Sequence, residues 1–282
     1  MSSTKAAVVC MFLMQNVFLV TQSKWIDMSH SYDRNMSALD VDKFHHEVVY
    51  SGPLGRVPYV LAYKLKLNEH SGTHIDAPVH FSQGKPTVDE LLPENLIGEA
   101  IVINVTEQVM KDPDYEVSVE DFQNWEKEHG LISNGTIAFI LTGFGKYWGN
   151  LTKYLGIRNA STKIGDFHFP GIGKEAAQWM VDSRKFKGVG LDVRSLDKGQ
   201  SLDFLAHRIL LGNNLFGLES VANIEKLPPR GSIVYVSPMK IKGGSGGPTR
   251  IFAQTDPVAG SCHQTGCVVL LLTMVLAILF IL

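Results

Sequence analysis

Short apolar runs alternate with amphipathic stretches between residues 59 and 253 of this chain. The apolar runs have the length of buried strands, and the amphipathic stretches have the spacing of helices with one buried face. We expect helices at Val119–His129, Lys174–Arg184 and Leu202–Leu211. We expect strands at Tyr59–Leu67, Ala100–Val105, Thr136–Leu141, Gly188–Asp192, Asn214–Glu219, Ile233–Ser237 and Arg250–Ala253. This order is typical of a mixed α/β fold, and since no long linker interrupts it we expect a single domain.

Both ends of the chain have the composition of processing signals. Lys5 precedes an uncharged stretch, as in a secretory signal peptide, so we expect residues 1–23 to be removed. Residues 267–282 carry no charge, and at about 1.5 Å per residue they are too short for a hydrocarbon core of roughly 30 Å. We interpret residues 257–282 as a signal for a glycolipid anchor, with a retained apolar tail as the alternative. Residues 24–256 are then the folded domain.

Sequons and charge indicate where the chain resides and which partners it lacks. Asn-x-Ser/Thr sequons, which direct N-glycosylation in secreted proteins, occur at Asn35, Asn104, Asn134, Asn150 and Asn159. We therefore expect the secretory pathway and the outer face of the cell membrane, or a secreted form. The 26 basic and 28 acidic residues give a net charge of −2, without a basic run that would bind phosphate backbones. Nucleic acid is therefore not an expected partner.

Four side chains able to bind a metal or move protons occur close together: His70, His74, Asp76 and His80. All four occupy even positions, so an extended segment would project them to one side. A helix fits less well, because the segment also contains glycine, threonine and proline. Imidazole and carboxylate together suit zinc, manganese or iron(II). The alternative is a polar loop whose histidines bond to the backbone, but so many candidate ligands in one short segment favour a metal site.

Two further ligand candidates come late in the chain. His207 lies in the third predicted helix, and Glu219 ends an apolar run. Each is weak alone, because a helical histidine is more often packed and a glutamate at a strand end is usually solvated. The glycine-rich segment 243–248 lacks the Lys-Ser/Thr of a phosphate loop, and we interpret it as a turn or flexible lid.

The pattern His-x-Gly-Thr-His-x-Asp-x-Pro-x-His, complete from His70 to His80, resembles the signature of the cyclase family, which includes bacterial kynurenine formamidase and isatin hydrolase. We call this segment the His70–His80 motif. The resemblance continues through Phe169-Pro170-Gly171, residues 188–192, Ser195-Leu196-Asp197 and the pair formed by His207 and Glu219. It covers roughly residues 28–253.

The resemblance implies a swivelling β/β/α fold and a site with two divalent metal ions. Zinc is the preferred metal, and manganese is the alternative. The implied ligands are His70, His74, Asp76, His207 and Glu219. Asp76 would bridge the ions, and His80 would be the catalytic proton shuttle. The isatin hydrolase branch has Gln at the position of Glu219 and a single manganese, so Glu219 favours two ions here.

The implied activity is metal-dependent hydrolysis of a carbon–nitrogen bond, in an aryl formamide like N-formylkynurenine or in a cyclic amide. Family members commonly carry Trp-Pro-Gly upstream of the motif, where this chain reads Met36-Ser37-Ala38, which argues against formylkynurenine itself. Alternatives are a lactone or cyclic imide hydrolase, and a non-catalytic surface protein that keeps the site as a metal clip. Beyond a small-molecule amide substrate, we expect as partner a further copy of the chain, in a homodimer or higher homo-oligomer.

Overall fold

A barrel-like sheet forms the centre of the molecule in a computed structural model, which describes residues 24–33, 36, 44–157, 163 and 165–255. The described strands are β1 Lys24–Asp27, β2 His45–Leu54, β3 Val57–Lys66, β4 His74–Asp76, β5 Ile97–Asn104, β6 Glu116–Val117, β7 Ile137–Leu141, β8 Gly171–Ile172, β9 Gly188–Leu191, β10 Phe216–Glu219, β11 Ser232–Pro238 and β12 Gly246–Thr255. The main sheet has the order β1-β12-β11-β5-β7-β9-β10-β4, and a pairing of β4 with β12 closes it. Its centre is parallel, from β5 through β7 and β9 to β10.

Helices cover the outer face of the parallel strands. They are α1 Thr106–Lys111, α2 Val119–His129, α3 Leu151–Tyr154, α4 Lys174–Trp179 and α5 Leu205–Gly212. Helix α2 has the predicted bounds, because the Ser118 hydroxyl accepts the Asp121 N–H at its start and Gly130 turns the chain with a φ of +86° at its end. Helix α4 continues as a π-helical turn, Met180–Arg184, within the predicted range. Helix α5 begins at Leu205 and not at Leu202 as predicted. Leu202 lies ahead of the helix and is exposed.

Both faces of the parallel strands are buried, which explains their nearly continuous apolar sequences. In β5, Ala100 and Val102 point into the barrel and pack in one core cluster with residues of β7, β10 and β12. Ile101 and Ile103 point outward and pack against the helices in a second core cluster. The predicted mixed α/β fold of the swivelling β/β/α type is confirmed.

Residues 25–254 belong to one compact unit, and Lys24 and Thr255 are the described residues outside it. The predicted signal at 1–23 and the predicted anchor signal at 257–282 lie outside the described residues, as do Asn35 and Asn159. Where the structure describes the chain, none of its helices has the length and apolarity needed to cross a membrane. Asn104, Asn134 and Asn150 are exposed.

Candidate metal centre

The His70–His80 motif does not form the one extended segment that its even spacing predicted. Only His74–Asp76 is strand, while His70 lies in a turn before it and His80 ends a short 3-10 turn. Gly72 makes the first turn possible, because its φ is +66° and a Cβ there would lie 2.8 Å from the Tyr32 ring. The four polar side chains therefore converge because the chain turns at both ends of β4, and not because they alternate along a strand.

Strands β10 and β12 flank β4 and determine what faces its side chains. Asp76 lies opposite Gly217 on one side and opposite Gly246 on the other, whereas His74 lies opposite Glu219. Cross-strand neighbours point to the same face of a sheet, so Glu219 approaches His74, and the two glycines leave space around Asp76. The second half of the glycine-rich segment is thus a strand beside the motif, and its interpretation as a turn or flexible lid is wrong there.

Five of the predicted site residues come together in two groups that share Asp76. One group contains His70, His74 and Asp76, and the other contains Asp76, His207 and Glu219; within each group the candidate ligand atoms lie within 4.8 Å of one another. His74 Nε2 is 3.3 Å from Asp76 Oδ1 and 3.4 Å from Glu219 Oε2. His207 Nε2 is 3.3 Å from Asp76 Oδ2 and 3.0 Å from Glu219 Oε1. We call these five residues the ligand cluster.

The ligand cluster fits a divalent metal ion. His74 Nε2 and Asp76 Oδ2 are buried and have no hydrogen-bond partner. Buried polar atoms are normally paired, because leaving them unpaired costs about 1–3 kcal/mol each. Imidazole nitrogens and carboxylate oxygens are the donors that zinc and manganese accept.

Each imidazole of the ligand cluster uses one ring nitrogen for a contact outside the cluster. His74 Nδ1 donates to the Gly72 carbonyl at 3.0 Å, and His207 Nδ1 donates to Asp197 Oδ2 at 2.6 Å. These outward bonds fix the orientation of each ring and point both Nε2 atoms toward the cluster. Asp197 also accepts the N–H of His207, so it holds both the ring and the start of α5. No sequence pattern assigned a role to Asp197, although it lies within the stretch that carries the resemblance.

A hydroxyl–carboxylate pair holds His70 in the same way. Ser245 donates to Glu69 Oε2 at 2.9 Å, so its oxygen accepts the proton of His70 Nε2 at 2.8 Å. The other nitrogen, Nδ1, then faces Asp76 Oδ1 at 2.7 Å as the ligand atom. No sequence signal indicated Ser245, because the contact depends on the pairing of β12 with β4.

Burial and charge act in opposite directions on the ligand cluster. Burial lowers the pKa of His74, but Asp76 and Glu219 outweigh burial and raise it. Burial also lowers the pKa of His207, which Asp197, Asp76 and Glu219 raise well above its usual value. The pKa of Asp76 is raised by burial and lowered, well below its usual value, by the surrounding imidazoles of His207, His70 and His74. Without a metal ion the imidazoles therefore hold protons that a cation would displace.

His80 lies beside the ligand cluster and belongs to neither ligand group. Its ring stacks on His70 with centroids 3.8 Å apart and an angle of 18° between the planes. Burial lowers the pKa of His80 to about 4, so this imidazole is neutral at neutral pH and able to accept a proton. Its role as the proton shuttle stays a prediction.

A cavity of about 260 Å³ opens onto the ligand cluster and His80. Its other walls are aromatic on one part and polar on another: Phe81, Phe167, Phe169, Phe204, Arg194, Ser195, Lys198, Gly199 and Ser201. Phenylalanine rings favour a flat apolar ligand, and Arg194 provides positive charge beside it, whereas the Lys198 ammonium group is paired with Glu116 at 2.7 Å. The cavity therefore suits a small aryl compound with a polar or anionic group.

Comparisons with known proteins extend the likeness beyond the motif. The Cyclase family model, described as "Putative cyclase", matches residues 26–198. The isatin hydrolase of Roseibium aggregatum is 35% identical over 195 residues, which cover 66% of this chain and 72% of that protein. The kynurenine formamidase of Salinibacter ruber is 24% identical over 198 residues, or 68% of this chain and 79% of that protein. Isatin hydrolase A from Ralstonia solanacearum aligns with a TM-score of 0.75 and 29% identity, over 90% of this chain and 98% of its own.

Proposed function

This chain belongs to the cyclase family, and on that premise we propose that it hydrolyses the carbon–nitrogen bond of a cyclic aryl amide such as isatin. The observation that carries the proposal is the ligand cluster, whose unpartnered His74 and Asp76 atoms face an aromatic-walled cavity. The cyclic amide is favoured over an aryl formamide because identity to an isatin hydrolase is 35%, against 24% to a kynurenine formamidase.

The cavity supports the same choice of substrate. Its phenylalanine rings can stack on a fused aryl ring, and the product of opening a cyclic aryl amide keeps its new carboxylate on the same molecule. Arg194 lines the cavity and can attract that carboxylate. A formamide, by contrast, loses its acid as a separate small fragment that needs no such site.

We assign the residues of this reaction as follows. His70, His74 and Asp76 would hold one ion, and Asp76, His207 and Glu219 would hold the other. Zinc is the preferred candidate for both ions, and manganese is the alternative. Two such cations, when bound, lower the pKa of water and polarise the amide carbonyl. His80, neutral at neutral pH, accepts the proton of the attacking water and delivers it to the leaving nitrogen. The water oxygen becomes bonded to the carbonyl carbon as the carbon–nitrogen bond breaks.

Substrate profiling of the purified full chain tests the proposal. Values of kcat/KM are measured for isatin, N-formylkynurenine, a cyclic imide and an aryl lactone, with Asp76→Asn as the inactive control. We expect isatin to have the largest value, by about tenfold or more, since a matched pocket commonly discriminates by that factor. Faster hydrolysis of the lactone or imide would support those alternatives, and no hydrolysis of any substrate would support a non-catalytic metal protein.

We also propose that the enzyme acts at the outer face of the cell membrane or in secreted form. The apolar segments at residues 1–23 and 257–282 and the exposed sequon residues Asn104, Asn134 and Asn150 support this location. Release from cells by a phospholipase that cuts glycolipid anchors, and a loss of apparent mass on glycan removal, are the expected results. Retention after phospholipase treatment, with a peptide containing Phe280 in mass spectra, would favour a tail anchor.

A further inference from the structure

Two phenylalanines of the cavity wall, Phe167 and Phe169, lie in a segment that is neither helix nor strand. Both rings are 3% exposed and stack on each other with centroids 6.4 Å apart. The side chain of His168, between them, does not line the cavity, as expected when alternate side chains point to opposite sides of an extended segment. The position of this wall therefore depends on the contacts that residues 167–169 make with neighbouring segments.

His168 holds this wall from outside the cavity. Its Nδ1 donates to Asp114 Oδ2 at 2.7 Å, and its backbone N–H donates to the Leu155 carbonyl at 2.9 Å. The side chains of His168 and Asp114 are only 17% and 18% exposed. Hydrogen bonds to a carboxylate are stronger than those between neutral groups, and partial burial protects this one from water. The contact therefore fastens the wall to the loop between α1 and β6.

A second segment of the cavity, residues 198–201, packs closely on the same wall. A Cβ on Gly199 would lie 2.7 Å from the carbonyl carbon of Phe167, so the two backbones are in contact. Lys198, the preceding residue, donates to Glu116 Oε2 at 2.7 Å. The chain around the start of β6 is thus joined by a charged pair to each of two segments that meet at the cavity.

We propose that Asp114 and His168 are positioning residues that set the width of the cavity at the metal centre, by holding Phe167 and Phe169 in place. The substrate class, a flat cyclic aryl amide, rests on the function proposed above, but cavity width can be measured without hydrolysis. Neither positioning residue lines the cavity or belongs to the ligand cluster. Loss of their contact should therefore move the aromatic wall, leave the metal ligands in place and weaken the preference for flat aryl compounds.

Binding of two aryl carboxylates to the zinc-loaded full chain tests this proposal. The probes are 1-naphthoate, which is flat, and biphenyl-2-carboxylate, whose second ring is twisted out of the plane of the first. Their dissociation constants follow from the rise of the thermal midpoint with probe concentration. We expect the native chain to bind the flat probe more tightly. In His168→Ala and in Asp114→Ala this preference should fall by about tenfold, a usual contribution of pocket shape to discrimination.

The double variant and two controls separate positioning from stability. Combining His168→Ala with Asp114→Ala should change the preference no further, because both substitutions break one contact. His168→Asn keeps a donor near the place of Nδ1 and should retain most of the preference. Glu126→Ala removes a pair of similar burial, Glu126 with Arg184 at 2.6 Å, away from the cavity. It should lower the thermal midpoint and leave the preference unchanged.

Kinetics with isatin give a second measurement in the same variants. KM should rise about tenfold in His168→Ala while kcat stays within about threefold, because the ligand cluster and His80 are unchanged. If one single variant does not fold, the other decides, since both lack the same contact. A native chain that binds the probes but hydrolyses no amide would contradict the proposed function and leave this inference standing.

Three results would overturn the inference. The first is a native preference for the flat probe in folded His168→Ala and Asp114→Ala. The second is an equal loss of preference in Glu126→Ala, which would show that the contact only stabilises the fold. The third is a native chain that, loaded with zinc, binds neither probe, because the cavity would then not be a site for aryl compounds.

Discussion

Two aspartates, Asp76 and Asp192, are buried at strand ends in this protein, with exposures of 1% and 4%. Asp192 Oδ1 accepts the N–H and the hydroxyl of Thr142, at 2.9 and 2.6 Å, and Oδ2 accepts the N–H groups of Gly143 and Gly145. Asp76 has imidazoles around it, and its Oδ2 has no hydrogen-bond partner. The hydrogen bonds of Asp192 are complete and hold a loop in place, whereas Asp76 has acceptor capacity left for a cation.

The pKa values of the two carboxyl groups are shifted in opposite directions. Burial raises the pKa of Asp192 although its hydrogen bonds lower it. For Asp76, the surrounding imidazoles of His207, His70 and His74 outweigh burial and hold the pKa well below its usual value. Asp76 is therefore kept ionised by groups that can themselves bind a metal. Burial alone does not distinguish these two carboxylates, but their hydrogen bonds do.

If cavity size alone were used to locate the functional site, it would point to Asp192 and not to Asp76. A cavity of about 720 Å³ lies beside Asp192, and the one at Asp76 has about 260 Å³. Within the part of the chain that the structure describes, the groups of possible metal ligands all include Asp76 and none includes Asp192. The candidate metal ligands therefore lie at the smaller of the two cavities.

Matched substitutions of the two aspartates should give the largest contrast. Asp76→Asn removes the carboxylate shared by both ligand groups, so metal content should fall below one ion per chain and turnover by at least about 10⁴-fold. Asp192→Asn should keep metal and turnover in the folded chain, and lower the free energy of unfolding by about 2–4 kcal/mol, because its amide nitrogen would face backbone N–H donors. Metal analysis, kinetics and chemical denaturation measure these effects. Equal metal loss in the two variants would remove the distinction between them.

Substitution of the two kinds of histidine should separate metal binding from proton transfer. His80→Ala should retain metal and fold while turnover falls by roughly 10²–10⁴, the usual size of a general acid–base contribution. His74→Ala should lose metal and activity together, because His74 belongs to the ligand cluster. If His80→Ala purifies without metal, His80 is a ligand and another group must carry the proton.

Loss of the Ser245 hydroxyl should have a smaller effect. Ser245→Ala leaves His70 Nε2 without its acceptor, so the metal affinity should fall by about 10–100-fold, as is usual for partners of metal ligands. Ser245→Thr keeps a hydroxyl and should therefore retain most of the metal affinity. If Ser245 had a purely structural role, keeping the hydroxyl would not be expected to preserve the affinity. Competition with a chelator measures the affinity, and unchanged binding in Ser245→Ala would show that this contact does not orient His70.

The pH dependence of metal binding should be the most gradual effect. Protonated imidazole cannot bind a metal, and the raised pKa values of His74 and His207 extend the protonated form to higher pH. Apparent affinity should therefore rise with pH, by roughly tenfold per pH unit for each proton displaced, until the imidazoles are deprotonated. Titrations between pH 6 and 8 at constant ionic strength measure this slope. An affinity independent of pH would mean that the imidazoles are already neutral without metal.

Local sequence signals predicted much of the fold. Helix α2 was predicted to its ends because Ser118 and Gly130 mark them, and the parallel strands were predicted because both of their faces are buried. Strand β2 was missed, since it begins with polar residues, contains Gly52 and Pro53, and lies in a ribbon outside the core. Periodicity identifies strands that bury one face in the core, and the apolar residues of β2 are exposed, so periodicity alone could not identify this strand.

The candidate site was predictable where its residues are close in sequence. The His70–His80 motif supplied three candidate ligands and His80, because several groups with metal affinity occur together. The turns that bring them together were not predictable, nor was the contact of His70 with Ser245, which joins residues 175 positions apart. Such contacts depend on the order of strands in the closed sheet, which the sequence pattern does not contain.

Metal content per chain tests the central claim most directly. Elemental analysis of the purified native chain, after exchange into metal-free buffer at neutral pH, should give close to two divalent ions. The same measurement on Glu219→Gln should give close to one, because a neutral amide is a weaker ligand than a carboxylate. A native chain with one ion would contradict the assignment of two metal positions around Asp76, and a folded native chain that binds none when supplied with zinc or manganese would contradict the metal site itself.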